Sequence, residues 1–251
     1  MEEVKKVRKK IQLQNKGKDT GYFEIRNITE TTADLIIYGE ITSSEWWGDE
    51  VTPTQMKDLL DSAGGKDLKI YINSPGGDVF AGVAIYNMIK RYSGKKDVYI
   101  DGLAASAASI IAMAGDTINI PKNAYLMIHN AWTWICGNAK DLLKEAENLE
   151  RIDKSIVETY VTKANNDTTA ETFETLMNNE TWLNGSEAEQ YFHVNVIDIQ
   201  PVLACVNKEA FENYKHVPEK LKNLPLKSEN EEIEKQKNEL EKAKLKLKLT
   251  L

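Results

Sequence analysis

Asp101-Gly102-Leu103-Ala104-Ala105-Ser106-Ala107-Ala108-Ser109 is the stretch around which the chain reads. Val98-Tyr99-Ile100 precede it, apolar and rich in β-formers. Ile110-Ile111-Ala112-Met113-Ala114 follow it, apolar and compatible with a helix. Ser106 therefore falls where a buried strand turns into a buried helix. Small residues on both sides permit a sharp backbone turn and the close approach of another segment. The first N–H groups of such a helix lack intrahelical partners and face the serine, so they can receive a developing oxyanion. These are the physical requirements of a nucleophile elbow, met without the G-x-S-x-G pattern. Alone, the stretch fits an Ala/Ser-rich helix start better, with Ser106 as a cap or a small packing residue. The surrounding chain reverses that balance.

Upstream, Leu68-Lys69-Ile70-Tyr71-Ile72-Asn73 reads as a strand, Ser74-Pro75-Gly76-Gly77-Asp78 as a sharp turn, and Val79 to Tyr92 as a helix. In that helix Val79, Val83, Tyr86 and Ile89 recur at helical spacing. Two consecutive strand–turn–helix units with turns of small residues imply a parallel sheet. Their turns then share the carboxyl edge of the strands, which brings Gly76-Gly77 beside Ser106. Downstream, Thr117 to Ile120 and Tyr125 to Ile128 read as strands about the turn Pro121-Lys122-Asn123. The second ends in His129-Asn130, so a histidine also reaches that edge. A lone histidine after an apolar strand is more often structural, but its place opposite a candidate nucleophile removes much of that handicap.

Outside this core, residues 22–25 and 33–41 read as strands, and Pro53 to Ser62 as a helix capped by Thr52. Trp46 and Trp47 lie in the loop between them and serve either a contact surface or local packing. Asn138 to Lys163 reads as a long helix whose narrow apolar stripe suits one that projects and packs on another copy. A second helix follows over 169–177, then a loop or short strand over 179–183. Ser186 is expected to cap a short helix over 187–191, and 194–199 to form a last strand.

Composition narrows the classes. The chain has 251 residues, is 41% hydrophobic and carries a net charge of −7. That charge argues against nucleic-acid binding. No apolar run spans a membrane, and Met1 to Lys10 lacks the apolar core of a secretory signal. Cys136 and Cys205 stand far apart, as reduced thiols of a cytoplasmic protein would, and three histidines are too few for most metal sites. The organisation expected is a basic N-terminal arm over 1–20, an α/β domain over 21–200, and a charged, partly helical extension over 201–251. The last of these holds seven Lys and six Glu between residues 227 and 251.

A serine becomes a nucleophile when a base takes its proton, and histidine near neutral pH is that base. A carboxylate then fixes its tautomer and stabilises the imidazolium. The candidates are Ser106, His129 and a later acid, with the backbone N–H groups of Gly77 and Ala107 as oxyanion donors. At these residues the chain resembles the Clp protease proteolytic subunit family, closest in appearance to its phage and prophage head-maturation proteases. Tyr71-Ile72-Asn73-Ser74-Pro75-Gly76-Gly77 is similar to the family's Gly-rich segment. Gly102-Leu103-Ala104-Ala105-Ser106 is similar to its nucleophile motif, and Leu126-Met127-Ile128-His129-Asn130 to its histidine motif. Gly137-Asn138-Ala139 leads into the counterpart of its long handle helix. The four motifs stand in the family's order across Ala33 to Asp198.

The resemblance implies a crotonase-like α/β core, a parallel sheet with a projecting long helix. It also implies a serine endopeptidase of the ATP-dependent type that needs no metal or organic cofactor. Homo-oligomeric stacked rings, commonly heptameric, would enclose a proteolytic chamber. Substrate would be unfolded polypeptide from an ATP-driven unfoldase, or phage capsid or scaffold protein. The acid departs from the pattern, because Glu180 stands where the family usually has Asp, before Trp182-Leu183 and Glu187-Ala188. Asp167 and Glu171 are its rivals. Residues 191–198 also run longer than the family's closing segment. Two other classes remain open: a non-catalytic ring or adaptor of the same fold, and an acyl-CoA enzyme of the crotonase fold, which would not need Ser106 and His129 together.

Overall fold

The computed structural model describes residues 22–43, 51–198, 211 and 213–222. The N-terminal arm, Trp46 and Trp47, Cys205 and the Lys/Glu-rich tail lie outside the described residues. The chain divides into two compact units, Met1–Val206 and Asn207–Leu251.

In the first unit, β1 (Tyr22–Arg26), β2 (Thr32–Ile41), α1 (Pro53–Ala63), β3 (Asp67–Gly77), α2 (Val79–Arg91), β4 (Lys96–Ala105), α3 (Ala107–Ala112), β5 (Thr117–Pro121) and β6 (Tyr125–Ile128) alternate along the chain. Then come α4 (Ala139–Val161), α5 (Ala170–Asn178), β7 (Thr181–Asn184), α6 (Gly185–Ala188) and β8 (Asn195–Ile197). Among the described residues the strands form one sheet in the order β1-β2-β3-β4-β5-β8, with β6 pairing β4 and β7. β1 and β7 run antiparallel to their neighbours and every other pairing is parallel. This is the mixed α/β, mostly parallel sheet that the strand–turn–helix succession implies.

Apolar residues explain the central strands, in a near-continuous run in β2 and in alternation in the first halves of β3 and β4. Ala33, Leu35, Ile36 and Ile37 of β2 are buried, as are Leu68, Ile70 and Ile72 of β3 and Val98 and Ile100 of β4. The run in β2 suits a strand buried on both faces, whereas Asp67 and Lys69 of β3 are exposed, so one face of that strand's first half meets solvent. The helix starts are encoded locally. Thr52 and Gln55 form a capping box on α1 with Pro53 in its first turn, and Asp78 accepts from the Ala81 N–H to cap α2.

β4 is longer than the three β-rich residues Val98 to Ile100 suggest. Its first half pairs with β5 (Val98 opposite Ile118), and its second half with β6 (Ala104 opposite Leu126). The second neighbour keeps Gly102 to Ala105 extended up to Ser106, against the weak β-propensity of alanine. Ser106 is thereby placed at a strand's carboxyl end. The short helix near residue 187 differs from expectation too. It is α6, Gly185–Ala188, and its cap is Asn184, which accepts from the Ser186 and Glu187 N–H groups while Glu187 reaches back to the Asn184 N–H. Asn184 is also the last residue of β7, so strand end and cap coincide.

α4 projects as expected. Its only buried residues are Ile156, Val157 and Tyr160, all near its C-terminal end. Toward its start Leu142 and Leu143 are exposed, as are Trp132 and Trp134 in the preceding loop. Among the described residues no helix is long and apolar enough to cross a membrane. In the second unit the described residues include the short helix α7 (Glu219–Lys222), with Phe211, Val217 and Leu221 buried.

Candidate active site

Three strands deliver the site to one edge. β3 ends in Gly76-Gly77, β4 stops just short of Ser106, and β6 stops just short of His129. The registers align these ends: Ser74 lies opposite Ala104, and Ala105 opposite Met127. The Ser106 N–H donates to the Met127 carbonyl (2.9 Å), which ties the elbow to the histidine strand.

Ser106 takes φ 53° and ψ −124°, a backbone conformation that residues with a Cβ rarely adopt. Its side chain does not cap α3. Instead Ser106 Oγ lies 2.7 Å from His129 Nε2. The geometry therefore rules out the helix-cap role open to Ser106 on sequence alone.

Glycine makes room for this turn. A Cβ on Gly76, at φ +96°, would sit 2.5 Å from the Ala105 carbonyl oxygen, 2.7 Å from Ser106 Cβ and 3.0 Å from the Ala107 nitrogen. Gly76 thus presses directly on the elbow, a role the sequence left undivided within the Gly-Gly pair. Gly77 stands opposite Ile41 in the β2–β3 ladder. Gly82 of α2 plays the same part from the other side, since a Cβ there would lie 2.9 Å from Ala107 Cβ. Ala107 itself is buried as the first residue of α3.

The candidate acid arrives through β7. Ile128 pairs with Thr181 in the antiparallel β6–β7 ladder, so one step further brings His129 opposite Glu180. Burial holds the His129 imidazole below its ordinary pKa, and the Glu180 charge pushes it part of the way back up. Glu180 takes a left-handed φ of 46° just after α5, and the Trp182 indole N–H donates to its Oε1 at 3.4 Å. Asp167 and Glu171 are carried at the opposite end of α5 from Glu180.

Two clips hold the segment after His129, and neither was visible in the sequence. Asp153 of α4 accepts from the Ala131 N–H (2.7 Å), and the Asn130 side-chain amide donates to Asn178 Oδ1 (2.7 Å). Asn178 ends α5 two residues before Glu180, so the second clip joins the histidine loop to the turn that carries Glu180. An Asn beside His and an Asn two before Glu carry no pattern that separates them from loop and cap residues.

Comparison with known proteins gives the family. The family model for Clp protease matches residues 24–198. The chain belongs to the Clp protease family. It is 31% identical over 147 residues to the ATP-dependent Clp protease proteolytic subunit of Bacteroides fragilis, covering 56% of this chain and 69% of that one. With the subunit of the same description from Deinococcus radiodurans it is 34% identical over 106 residues, 41% of this chain and 52% of that one. The chain thus spans between about half and about two thirds of these relatives' lengths. The solved structure of a ClpP1 mutant from Listeria monocytogenes superimposes with a TM-score of 0.55 at 25% identity. That match covers 66% of this chain and 91% of the other. The elbow, the Gly-rich segment, His129 and Glu180 all fall inside the stretch matched by the Clp protease family model.

Proposed function

We propose that this Clp protease family member is a serine endopeptidase subunit that cleaves unfolded polypeptide. The observation that carries the proposal is the 2.7 Å contact of Ser106 Oγ with His129 Nε2, made by a serine in a strained elbow. Ser106 attacks the peptide carbonyl while His129 Nε2 takes its proton, and the imidazolium then gives that proton to the leaving amine. Water deacylates the enzyme by the same path in reverse. With Nε2 as acceptor, Nδ1 carries the ring's proton, and Glu180 orients it. The N–H groups of Gly77 and Ala107 hold the oxyanion, and no metal or organic cofactor enters.

Exposed Trp132, Trp134, Leu142 and Leu143 at the projecting end of α4 support self-assembly, since apolar surface grouped in this way favours burial against another copy. Stacked homo-oligomeric rings, heptameric by family resemblance, would enclose the sites in a cytoplasmic chamber. Substrate would come from an ATP-driven unfoldase or from phage capsid or scaffold proteins. Hydrolysis of short fluorogenic peptides by the purified protein, with the assembly sized in the same tubes, tests the proposal. Turnover supports it. An intact ring without turnover supports the non-catalytic ring or adaptor. ATP-dependent hydrolysis of a folded protein, with peptide hydrolysis free of ATP, would identify the unfoldase route.

The pH profile tests the acid. His129 works as a base only when neutral, and burial lowers its pKa from the ordinary 6.5. The acid limb of kcat/KM therefore has its midpoint below pH 6.5. Glu180 raises the His129 pKa, so Glu180→Gln removes that contribution. The limb then moves to still lower pH while kcat falls. An unmoved limb, or one moved upward, would exclude Glu180 as the histidine's partner.

A further inference from the structure

Behind the elbow lies a polar pair that the proposed chemistry does not use. Ser109 Oγ donates to the Ser106 carbonyl oxygen at 2.6 Å and lies 2.7 Å from the Tyr160 hydroxyl. Ser109 is 0% and Tyr160 1% exposed. A serine hydroxyl has one hydrogen, and here it is committed to the Ser106 carbonyl. The Tyr160 hydroxyl must then be the donor to Ser109, so the chain of hydrogen bonds runs one way, from Tyr160 through Ser109 to Ser106.

The carbonyl at its end belongs to the same peptide group as the Ala107 N–H. A hydrogen bond to a peptide carbonyl polarises the group and makes its N–H a stronger donor, and such chains reinforce one another where water is absent. We propose that Tyr160 and Ser109 form a buried relay that polarises the Ser106–Ala107 peptide group and so tunes the Ala107 N–H as an oxyanion donor. The inference rests on the serine-peptidase reading and adds two positioning residues to it.

A serine inside a helix often bonds back to a carbonyl one turn earlier, so the Ser109 contact alone would mean little. The second hydroxyl comes from α4, 51 residues further along the chain. Tyr160 is fixed there by Phe173 and Phe192, each with its ring centroid 5.9 Å away. Burial also pushes the phenol well above its ordinary pKa, so it stays a donor across the working range. Two buried hydroxyls in an apolar core are costly unless mutually satisfied, and here their one outlet is the elbow carbonyl.

Tyr160→Phe removes only the hydroxyl and keeps the packed ring, and Ser109→Ala removes the middle of the relay. Both, and the double variant, are compared with wild type for kcat and KM on a fluorogenic peptide, for affinity toward a peptide boronate, and for Tm. The boronate's tetrahedral adduct places an oxygen in the oxyanion site. Outright loss of an oxyanion donor costs about 10²- to 10³-fold, so weakening one lowers kcat by about 3- to 30-fold. KM should stay within about twofold, and boronate affinity should fall in step with kcat. Acting in series, the two changes together cost no more than Ser109→Ala alone. Unchanged kcat and boronate affinity, or additive losses that follow Tm and KM, would overturn the relay. Ser106→Ala in the same assay separates the two claims. If it turns over peptide as fast as wild type, the peptidase reading fails and the relay with it. If it is inactive while Tyr160→Phe is unimpaired, the relay alone fails.

Discussion

Ser106→Ala is expected to lower peptide hydrolysis by about 10³-fold or more, while the state of assembly and the Tm stay as in wild type. The hydroxyl makes its contact with His129 and does not cap α3, so its loss removes the candidate nucleophile and little packing. Its effect on stability should lie within about 1 kcal/mol. His129→Ala should cost a similar factor, and the double variant little more, as for any nucleophile and base that act as one unit. Turnover by size-fractionated protein, with Tm measured on the same fractions, checks this. Residual activity above about a tenth of wild type would mean that another residue carries the attack.

Gly76→Ala is expected to damage both the fold and the site. The new methyl would meet the Ala105 carbonyl oxygen at 2.5 Å, Ser106 Cβ at 2.7 Å and the Ala107 nitrogen at 3.0 Å, on a backbone with φ +96°. Two of these neighbours are backbone atoms, so no flexible side chain can swing aside. Overpacking and backbone strain together should destabilise the protein by about 2–5 kcal/mol. The atoms displaced include the candidate nucleophile's Cβ and a candidate oxyanion donor, and a shift of about 1 Å there costs about 10²-fold in turnover. Gly64→Ala is the matched control. Its φ of 64° is also left-handed, but nothing lies within 4 Å of the new Cβ. It should cost about 1–2 kcal/mol and leave turnover unchanged. Denaturant unfolding and peptide turnover of both variants check the contrast, and equal effects would place the close approach elsewhere.

Much of this architecture was legible because the deciding signals are local. Gly-Gly after an apolar strand, an apolar strand running into Ala-Ala-Ser, and His after Leu-Met-Ile each mark a strand's carboxyl end. The parallel sheet then gathers those ends at one edge. What the sequence hid depends on partners distant in the chain. Ala104 and Ala105 look like helix formers and become strand because β6 pairs with them. The cap of α6 is Asn184 rather than Ser186, since β7 ends on the residue that turns into the helix. Glu180 could be ranked against Asp167 and Glu171 only by motif. The β6–β7 register, which sets it opposite His129, is a tertiary fact. Ser109 and Tyr160 carried no signal at all, for a serine in a short helix and a tyrosine on an apolar stripe are ordinary in themselves.

The most direct test of the central claim is covalent labelling with a fluorophosphonate, followed by peptide mapping of the adduct by mass spectrometry. An adduct on Ser106 that forms in wild type, is absent in Ser106→Ala and slows sharply in His129→Ala is the predicted result. Wild-type protein that takes no label at Ser106, or takes it as fast without His129, would contradict it.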